Sequence, residues 1–542
     1  MGLLEGHLPR RAAPTNYRAH LHARSPMISS RRIAASLALF TLAVTGHIAG
    51  AQGPTTSAVD VGPPPVAREL RAAWVATVEN IDWPSRPGLS TAEQQREMIA
   101  ILDKLVELRM NAIIFQVRPA ADAFYASKIE PWSEFLTGHM GRAPEPFYDP
   151  LAFTLAEAHK RGLELHVWIN PYRARYSRTH PASSTHITRT NPGLVRNYGP
   201  YVWMDPGDPA VRERTRRVVL DLVRRYDIDG VHMDDYFYPY PETERWRRKV
   251  REIPFPDNST YKRYRKRGGV LARDDWRRQN VDLLVKELYE AIHAVKPQVR
   301  FGISPFGIWR PGHPESVRGL DQYAVLYADA KKWFNEGWVD YMTPQLYWSV
   351  DKPQQRYDLL LEWWSQQNSR GRHLWPGNYT GKVAFTNSSA WRTDEILEQI
   401  RLTRAQPGAT GNVHFSMKVF QQNPDHLDER LAREAYARPA LVPASSWLPA
   451  ASMTAPSMAA RVDISSGARV LDLGLGTLSS KLPWLWVIQA RADSGWTTQI
   501  VPGSQRVFVL GAPGSAAPLD IRVRAVDRVG NTSPESRIPS VQ

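Results

Sequence analysis

Two adjacent aspartates, Asp234 and Asp235, follow a short run of apolar and β-branched residues in the sequence DGVHMDDYFYPYP (229–241). Side chains of a β-strand alternate between its two faces, and Val231 and Met233 occupy the apolar face. Asp234 therefore points to the opposite face, whereas Asp235 begins the loop and can turn either way. Two neighbouring carboxyl groups provide a proton donor and a like charge that raises its pKa, as acid catalysis requires. We predict that this pair is catalytic.

Aromatic residues surround the aspartate pair in the sequence. The residues that follow it directly include Tyr236, Phe237, Tyr238 and Tyr240. Paired aspartates are more often helix caps or surface turns, but an aromatic mouth favours a binding site. Aromatic rings pack against the apolar faces of sugars while polar neighbours bind the hydroxyl groups. Because the chain contains 19 tryptophans and 21 tyrosines, we expect a carbohydrate groove here.

Polar and aromatic side chains from other predicted strands point to the same inner face or to its rim. The predicted substrate-binding set is Gln116, Arg118, His166, Trp168, Asn170, Tyr172, Arg173, His232, Tyr236, Tyr238, Trp309, Gln345, Tyr347 and Trp348. On the last predicted strand, the alternation selects His414, Ser416 and Lys418. For any single residue, a satisfied hydrogen bond in the core explains its position as well as a substrate contact does. The prediction therefore depends on the whole set.

The sequence offers no pattern for a metal or a cofactor, and we expect neither. It contains no HExxH motif and no cluster of histidines, which are the usual signatures of a zinc site. It also contains no cysteine. This excludes disulfides, thiolate metal sites, a cysteine nucleophile and lipid attachment at a cysteine.

Strand-like and helix-like patterns alternate from Arg71 to about Tyr436, which predicts an α/β fold, a (β/α)₈ TIM barrel. The predicted strands are 72–78, 111–117, 164–170, 229–235, 300–306, 339–348, 373–379 and 411–420. The predicted helices are 91–109, 150–161, 209–226, 274–295, 328–336, 353–367, 393–403 and 425–436. The loops after the second, third and fourth strands are long. Loops that follow barrel strands build the active site in this fold, so the chemistry is expected there.

The N-terminal residues 1–51 have the features of a secretory signal. Arg31 and Arg32 precede the apolar stretch 33–44, and Ala49-Gly50-Ala51 provides a small-residue cleavage pattern. We expect export to the periplasm or secretion, with cleavage near Ala51. Met27 is an alternative start, because the basic segment before it is superfluous to a signal.

The rest of the chain divides by composition into four segments. Residues 52–67 predict a linker, residues 68–438 the barrel, residues 439–460 a second linker and residues 461–542 an all-β sandwich resembling fibronectin type III modules. Since all the motifs lie in the barrel, removal of everything after Arg438 is expected to leave its chemistry intact on short soluble substrates.

The net charge of +15 favours anionic surroundings such as wall polymers. Nucleic acid is not an expected partner, because the basic residues are spread through helices where a solvated face is the ordinary explanation. Outside the first fifty positions, no apolar run approaches the roughly 20 residues that span a bilayer. We therefore expect no stable membrane span.

Six motifs in order resemble the glycosyl hydrolase-like 10 family. They are RAAWVATVENIDWPS, FQVRPAADAFYASKIEPWSEFLTG, LHVWINPYR, DGVHMDDYFYPYP, GISPFGIWRP and DYMTPQLYWS, and the likeness extends from about Arg68 to Tyr436. The resemblance implies a TIM-barrel glycosidase that cleaves peptidoglycan glycan strands, particularly strands stripped of stem peptides, with partners in the cell-wall or cell-division machinery. It implies catalytic roles for Asp234 and Asp235. The site positions that it implies are Arg118, Asn170, Arg173, Gln345 and Tyr347.

The second catalytic group stays open at this point. Most glycosidases use two carboxyl groups that flank the bond, and successive side chains on a strand diverge too far for Asp234 and Asp235 to do so. The candidates from other loops are Glu79, Glu130, Glu134 and Glu242. The acetamido group of the substrate is the other alternative, as in substrate-assisted enzymes such as family 18 chitinases. Their DGxDxDxE pattern is only partly present, because His232 and Tyr236 replace two of its acids.

Two other functions remain as alternatives. A non-catalytic glycan-binding protein would use a degenerate barrel, and a hydrolase of another extracellular polysaccharide would use the same fold on a different glycan. Release of soluble fragments from purified cell walls would separate the first of these from an enzyme.

Overall fold

The computed structural model describes residues 62–246, 249–475 and 482–539. The predicted signal segment 1–51 and residues 52–61 of the predicted linker lie outside these ranges. None of the helices within them is both long enough and apolar enough to cross a bilayer.

The central sheet consists of eight parallel strands, of which the seventh is interrupted. The strands are β1 Leu70–Val75, β2 Ala112–Arg118, β3 Glu164–Ile169, β4 Gly230–Met233, β5 Arg300–Ile303, β6 Tyr341–Met342, β7 in the two segments His373–Leu374 and Gly377–Asn378, and β8 Gly411–His414. Each pairs with the next along the chain, and β8 pairs with β1. Across the break in β7, Trp375 N donates to Met342 O (2.9 Å) and Val413 N donates to Pro376 O (3.0 Å). The sheet is therefore closed, and the predicted α/β barrel is confirmed.

Side chains fill the barrel interior, as is usual for this fold. The buried cluster inside the sheet includes Leu70, Ala72, Trp74, Ile114, Trp168, Tyr341, Trp375 and Val413. Since helices cover the outer face as well, the strands are apolar on both faces. The polar side chains at the C-terminal end of the barrel are therefore exceptions to the apolar character of the strands, and they are candidates for a functional site.

Helices follow the strands close to their predicted positions. The barrel helices are α1 Thr91–Glu107, α2 Pro150–Lys160, α3 Pro209–Arg225, α4 Arg273–Val295, α5 Ala330–Glu336, α6 Tyr357–Gln366, α7 Thr393–Ala405 and α8 Leu427–Arg430. Helix α1 begins with a capping box between Ser90 and Glu93, and Asp149 and Asp208 cap α2 and α3. The eighth helix is shorter than predicted, because a wider helical turn replaces its second half at Leu431–Ala435.

The long loops contain secondary structure that the sequence patterns did not indicate. The loop after β3 forms a three-stranded antiparallel sheet from Arg173–Arg175, Val195–Tyr198 and Tyr201–Met204. The loop after β4 forms the hairpin Thr243–Trp246 and Lys249–Glu252, followed by a helix at Asn258–Lys266. The shorter helices in loops are Glu134–Thr137, Ile187–Thr190, Gln322–Val325 and Met417–Gln422. These additions build walls around the C-terminal end of β3 and β4.

The C-terminal region is an all-β domain, as predicted. Its strands are β9 Ser457–Val462, β10 Arg469–Gly474, β11 Leu485–Ala492, β12 Gly495–Pro502, β13 Val507–Gly511, β14 Asp520–Val526 and β15 Ser536–Ile538. They form two antiparallel sheets, in the orders β9-β10-β13 and β12-β11-β14-β15. Buried side chains from both sheets form the core, with Leu471 and Phe508 from one sheet and Trp486, Ile521 and Val523 from the other.

The segment between the barrel and β9 covers the N-terminal end of the barrel strands. Ser445 Oγ accepts a hydrogen bond of 2.9 Å from Arg300 Nε at the start of β5, and Trp447 Nε1 donates one of 2.7 Å to Asp340 just before β6. From the all-β domain, Arg528 pairs with the buried Asp229 just before β4, at 2.7 Å. The barrel and the all-β domain thus share buried polar contacts at this end.

Candidate active site

Asp234 lies directly after β4, at the C-terminal end of the barrel, and faces inward as predicted. Trp168 Nε1 donates a hydrogen bond of 3.0 Å to Asp234 Oδ2, and Asn170 Nδ2 donates one of 3.2 Å to the same oxygen. The Asn170 amide is fixed in this orientation, because its Oδ1 accepts a bond of 2.7 Å from Arg173 N. Both donors come from β3 and its C-terminal end, so two neighbouring strands hold the carboxyl group.

The environment of Asp234 favours its protonated form. Burial raises its pKa to about 7, the charge of Arg173 lowers it, and the neighbouring Asp235 raises it. The net direction is upward because a desolvated carboxylate is costly and the two donors only partly compensate. A carboxyl group with this pKa keeps a proton to near neutral pH, which suits a general acid.

Asp235 turns toward the β6 side of the mouth. Tyr240 Oη donates a hydrogen bond to its Oδ2. Gln345, whose Nε2 donates 2.9 Å to Ser304 O, lies close enough to lower the pKa of Asp235, although burial raises that pKa overall. The other carboxylate oxygen, Oδ1, is buried and has no hydrogen bond of normal geometry with the described residues. A donor on a substrate reaches this oxygen only when the surrounding side chains move aside, because the oxygen is buried.

Arg173 lies at the rim beside both aspartates. Its guanidinium is 4.2 Å from the ring centre of Tyr236, 5.6 Å from that of Tyr176 and 5.9 Å from that of Trp203. Its charge lowers the pKa of Asp234 and of Asp235 against the larger effect of burial. The arginine therefore brings a cation to the mouth of the site.

The structure brings together about half of the predicted set. The residues that contact the aspartate pair or each other at the mouth are Trp168, Asn170, Arg173, Tyr236, Gln345 and Tyr347. Tyr347 packs against Tyr379 at 5.0 Å between ring centres. Trp348 reaches the rim indirectly, because it packs on Phe306, which in turn contacts Tyr240.

His166 and His232 face inward but lie below the site, in a buried chain of hydrogen bonds. Trp74 Nε1 can only donate, and it does so to His232 Nε2 at 3.1 Å, which leaves the proton of His232 on Nδ1. That proton points to Tyr341 Oη at 3.1 Å, and Tyr341 then donates to His166 Nδ1 at 2.9 Å. Burial lowers the pKa of His232 well below its usual value. Both histidines are part of the floor of the site.

Gln116 and Arg118 at the end of β2 hold the backbone around the site. Gln116 Oε1 accepts bonds of 2.9 Å from the backbone amides of Thr77 and Val78. Arg118 pairs with Glu130 at 2.6 Å and donates to Asn170 O. Arg118 thus reaches the aspartate pair through the backbone of Asn170.

Three predicted aromatic residues lie away from the aspartate pair. Tyr172 is buried, and the charges around it belong to Arg212, Glu287 and Asp205. Tyr238 is buried against Phe255 and Tyr327, and Trp309 stacks on Trp363 of α6. On β8, the predicted inward orientation of His414 is wrong. Val413 faces the interior, and His414 Nε2 hydrogen-bonds Tyr436 Oη on the outside at 2.8 Å.

The four candidate acids for the second carboxyl group have different environments. Glu130 pairs with Arg118 and Arg214, and these ion pairs lower its pKa although burial opposes them. Glu134 pairs with His180 at 2.6 Å, and the side chain of Glu242 packs against Gly199. Glu79 is exposed and hydrogen-bonds Tyr176 beside Arg173.

Two residues of the site lie outside the predicted substrate-binding set. Tyr240, the donor to Asp235, belongs to the aromatic run that follows the aspartates. Tyr236 and Tyr240 face the site, whereas Phe237 packs on Trp333. Trp203, beside Arg173, comes from the loop sheet after β3. The abundance of tryptophan predicts such a ring at the rim, but no local pattern predicts the strand pairing that places it there. Within the described residues, no group of three or more side chains is arranged to hold a metal ion.

Comparisons with known proteins agree with the predicted resemblance. The sequence profile of the family described as Glycosyl hydrolase-like 10 matches residues 69–395. The chain is 44% identical over 390 residues to the glycosyl hydrolase YngK of Bacillus subtilis (strain 168), covering 70% of this chain and 74% of that protein. It is 35% identical over 426 residues to the glycosyl hydrolase DigH of Escherichia coli (strain K12), covering 72% and 94%. The solved PgaB (BpsB) glycoside hydrolase domain from Bordetella bronchiseptica aligns with 12% identity and a TM-score of 0.44, over 68% of this chain and 98% of that domain.

Proposed function

The chain belongs to the glycosyl hydrolase-like 10 family and is a glycoside hydrolase, and from this premise we propose that it cleaves the glycan strands of bacterial peptidoglycan that has lost its stem peptides. The observation that carries the catalytic assignment is the buried Asp234 at the end of β4, with its pKa raised to about 7. Active sites of this fold lie at that end of the barrel. The aromatic mouth around it suits sugar rings.

In the proposed mechanism, Asp234 is the general acid. Its proton is transferred to the glycosidic oxygen as the bond to the anomeric carbon breaks. The resulting carboxylate is stabilised by the hydrogen bonds from Trp168 and Asn170 and by the charge of Arg173. These donors are in place before the reaction, so they stabilise charge without reorganisation.

The second group in the mechanism is the acetamido group of the substrate. Its carbonyl oxygen attacks the anomeric carbon, and water then opens the cyclic intermediate while Asp234 takes back a proton. Asp235, whose Oδ1 is buried without a partner in normal geometry, accepts the acetamido N–H once the mouth has opened to admit the sugar, and Gln345 and Tyr347 lie beside the same carboxyl group. Of the four acids considered, Glu130 is committed to two arginines, which favours the substrate-assisted route over a second carboxyl group from Glu130.

Incubation with a panel of purified glycans tests this function. The expected result is release of soluble saccharides with new reducing ends from peptide-free glycan strands. Binding to cell walls without release would instead support a non-catalytic glycan-binding protein. Cleavage of another extracellular polysaccharide, without cleavage of the peptide-free wall strands, would show that this polysaccharide is the substrate.

We further propose that the enzyme is exported, that its signal is cleaved near Ala51, and that it works with the cell-wall or cell-division machinery. The all-β domain is proposed to be a fibronectin III-like attachment module, which its two antiparallel sheets of three and four strands support. N-terminal sequencing of the protein recovered outside the cytoplasm should begin near Gln52. A sequence that begins before Met27 would contradict this cleavage.

A further inference from the structure

Arg173 differs from the other buried arginines of the described chain. The six that are buried are Arg71, Arg118, Arg173, Arg175, Arg277 and Arg300. Five of them donate hydrogen bonds from the guanidinium to a carboxylate, a carbonyl or a hydroxyl group. The guanidinium of Arg173 forms no hydrogen bond and no ion pair with the described residues, and its Nε is buried without a partner. Yet Arg173 is only 4% exposed.

Three aromatic rings surround the guanidinium of Arg173. The ring centre of Tyr236 lies 4.2 Å from the guanidinium carbon, and those of Tyr176 and Trp203 lie 5.6 Å and 5.9 Å from it. Contacts of this kind stabilise the cation, but they use none of the five N–H donors of a guanidinium. A nearly buried guanidinium with unused donors has a planar, two-pronged edge that fits a carboxylate.

The neighbouring aspartates do not meet this need. Both carboxyl groups feel the charge of Arg173, but Asp234 is hydrogen-bonded to Trp168 and Asn170, and Asp235 to Tyr240. The guanidinium of Arg173 therefore has no hydrogen-bond partner among residues 62–246, 249–475 and 482–539, and a bound substrate can provide one. A carboxylate fits it best, because a carboxylate accepts two of the guanidinium donors at once and also compensates the charge.

We propose that Arg173 binds a carboxylate on the substrate, namely the lactyl carboxylate of N-acetylmuramic acid. This inference rests on the proposed function, and it identifies the feature by which peptide-free strands are recognised. In a strand with stem peptides, the lactyl carbonyl is in a neutral amide with a bulky substituent. Hydrolysis of that amide releases the carboxylate that Arg173 recognises, so the reaction that supplies this substrate is an amide hydrolysis.

The experiment compares two forms of the same peptide-free glycan strand. One has free lactyl carboxylates, and in the other they are converted to methylamides. The variants are Arg173→Gln and Arg173→Lys, with Arg178→Gln as the matched control, since Arg178 is an exposed arginine of the same loop. A polymer of glucuronic acid and N-acetylglucosamine provides a carboxylate on the sugar ring instead of on the lactyl group.

The wild-type enzyme should cleave the carboxylate form with a kcat/KM about 10–100 times higher than the methylamide form, as expected for loss of a charge-assisted pair. Arg173→Gln should bring this ratio close to one by raising KM for the carboxylate form, while kcat falls for both forms because the charge of Arg173 also stabilises the ionised Asp234. Arg173→Lys should give an intermediate ratio because it keeps the charge without the fork. Arg178→Gln should keep the wild-type ratio. In the inactive Asp234→Asn protein, N-acetylmuramic acid should bind more tightly than its methylamide.

Equal cleavage of both forms by the wild type, or an unchanged ratio in folded Arg173→Gln, would overturn the proposal while leaving the proposed function intact. Cleavage of the uronic acid polymer with the same dependence on Arg173, without cleavage of the muramic acid strand, would overturn the lactyl assignment. If the wild type cleaves neither strand, the proposed function fails, and the role of Arg173 fails with it. If Arg173→Gln is thermally unstable, the ratio measured with Arg173→Lys and the binding to Asp234→Asn decide whether the proposal holds.

Discussion

The indole Nε1 of Trp168 donates a hydrogen bond of 3.0 Å to Oδ2 of Asp234. The two residues belong to neighbouring strands, and Trp168 is paired in register with His232, two positions before Asp234. An indole N–H cannot accept a hydrogen bond, so this contact stabilises the ionised form of Asp234. It therefore acts on the product of proton transfer rather than on the resting acid.

Replacement of Trp168 by Phe tests this relationship. Activity requires protonated Asp234, so it should fall as the pH rises through about 7. Loss of a donor to the ionised form raises the pKa further, and the alkaline limb of the kcat profile should move to higher pH while maximal kcat falls roughly 10-fold. A pH–rate profile on peptide-free strands measures both effects. An alkaline limb that stays in place would show that Asp234 does not titrate in it.

Substitution of either aspartate by asparagine should remove catalysis without unfolding the protein. Asp234→Asn loses the transferable proton, and Asp235→Asn loses the charge and one acceptor beside the acetamido group. We expect kcat to fall about 10²–10⁴-fold in each case, with an unchanged far-ultraviolet circular dichroism spectrum. Asp493→Asn, at an exposed position of the all-β domain, is the control. Near-normal turnover in folded Asp234→Asn would remove this residue from the mechanism.

The positions of the barrel strands followed from the sequence because each strand is a short apolar run bounded by turns. The orientation of side chains was predictable only where one face is clearly the outer one. In β4, Val231 and Met233 pack outward, and Asp234 faces inward. In β8, Val413 is apolar but packs inside the barrel. Because both faces of a barrel strand are buried, apolar character alone does not distinguish them.

The sequence patterns also do not predict how deep in the barrel a residue lies. His232 shares a face with Asp234, but two residues of strand place it roughly 7 Å deeper, in the floor with Tyr341. The sequence predicts Arg118 as a substrate contact, but the loop after β2 places Glu130 against its guanidinium. Contacts of this kind depend on how long loops fold back, which local periodicity does not determine.

The high pKa of Asp234 should reduce stability at neutral and alkaline pH. Its pKa rises from 3.8 to about 7 on folding, so the folded state binds the proton more tightly than the unfolded state. The stability from this group is complete below the unfolded pKa and is lost as the pH rises through the folded pKa. Asp234→Asn does not ionise, so its unfolding free energy should exceed that of the wild type by about 2–4 kcal/mol near pH 8 and by little near pH 4. Urea denaturation at both pH values measures the difference. An equal difference at both would contradict the raised pKa.

The segment between the barrel and the all-β domain determines where the chain can be shortened. A cut after Arg438 removes Ser445 and Trp447, and so leaves Arg300 and Asp340 without these buried partners. Each unsatisfied buried group costs about 1–3 kcal/mol. The expectation that this truncation preserves the chemistry therefore requires a later end point.

Residues 62–455 should form a more stable barrel than residues 62–438, with cleavage of short soluble glycans retained and attachment to insoluble wall weakened. Thermal denaturation of both truncations measures this, and equal melting temperatures would show that the segment contributes nothing to the barrel.

The acetamido group of the substrate should be necessary for cleavage. Tyr240 donates to Oδ2 of Asp235 and Gln345 lies beside this carboxyl group, whereas the buried Oδ1 has no hydrogen bond of normal geometry to the described residues. An acetamido N–H that occupied this oxygen would be oriented for attack of its carbonyl on the anomeric carbon, whereas a free amine would supply no attacking oxygen. De-N-acetylated strands should therefore be cleaved at least about 100-fold more slowly than acetylated strands, with the loss in kcat.

Re-acetylation of the same strands is the control and should restore the rate. A kcat that does not change on de-N-acetylation would exclude the assisted route, and the second catalytic group would then have to be a carboxyl group such as Glu79, which hydrogen-bonds Tyr176 beside Arg173.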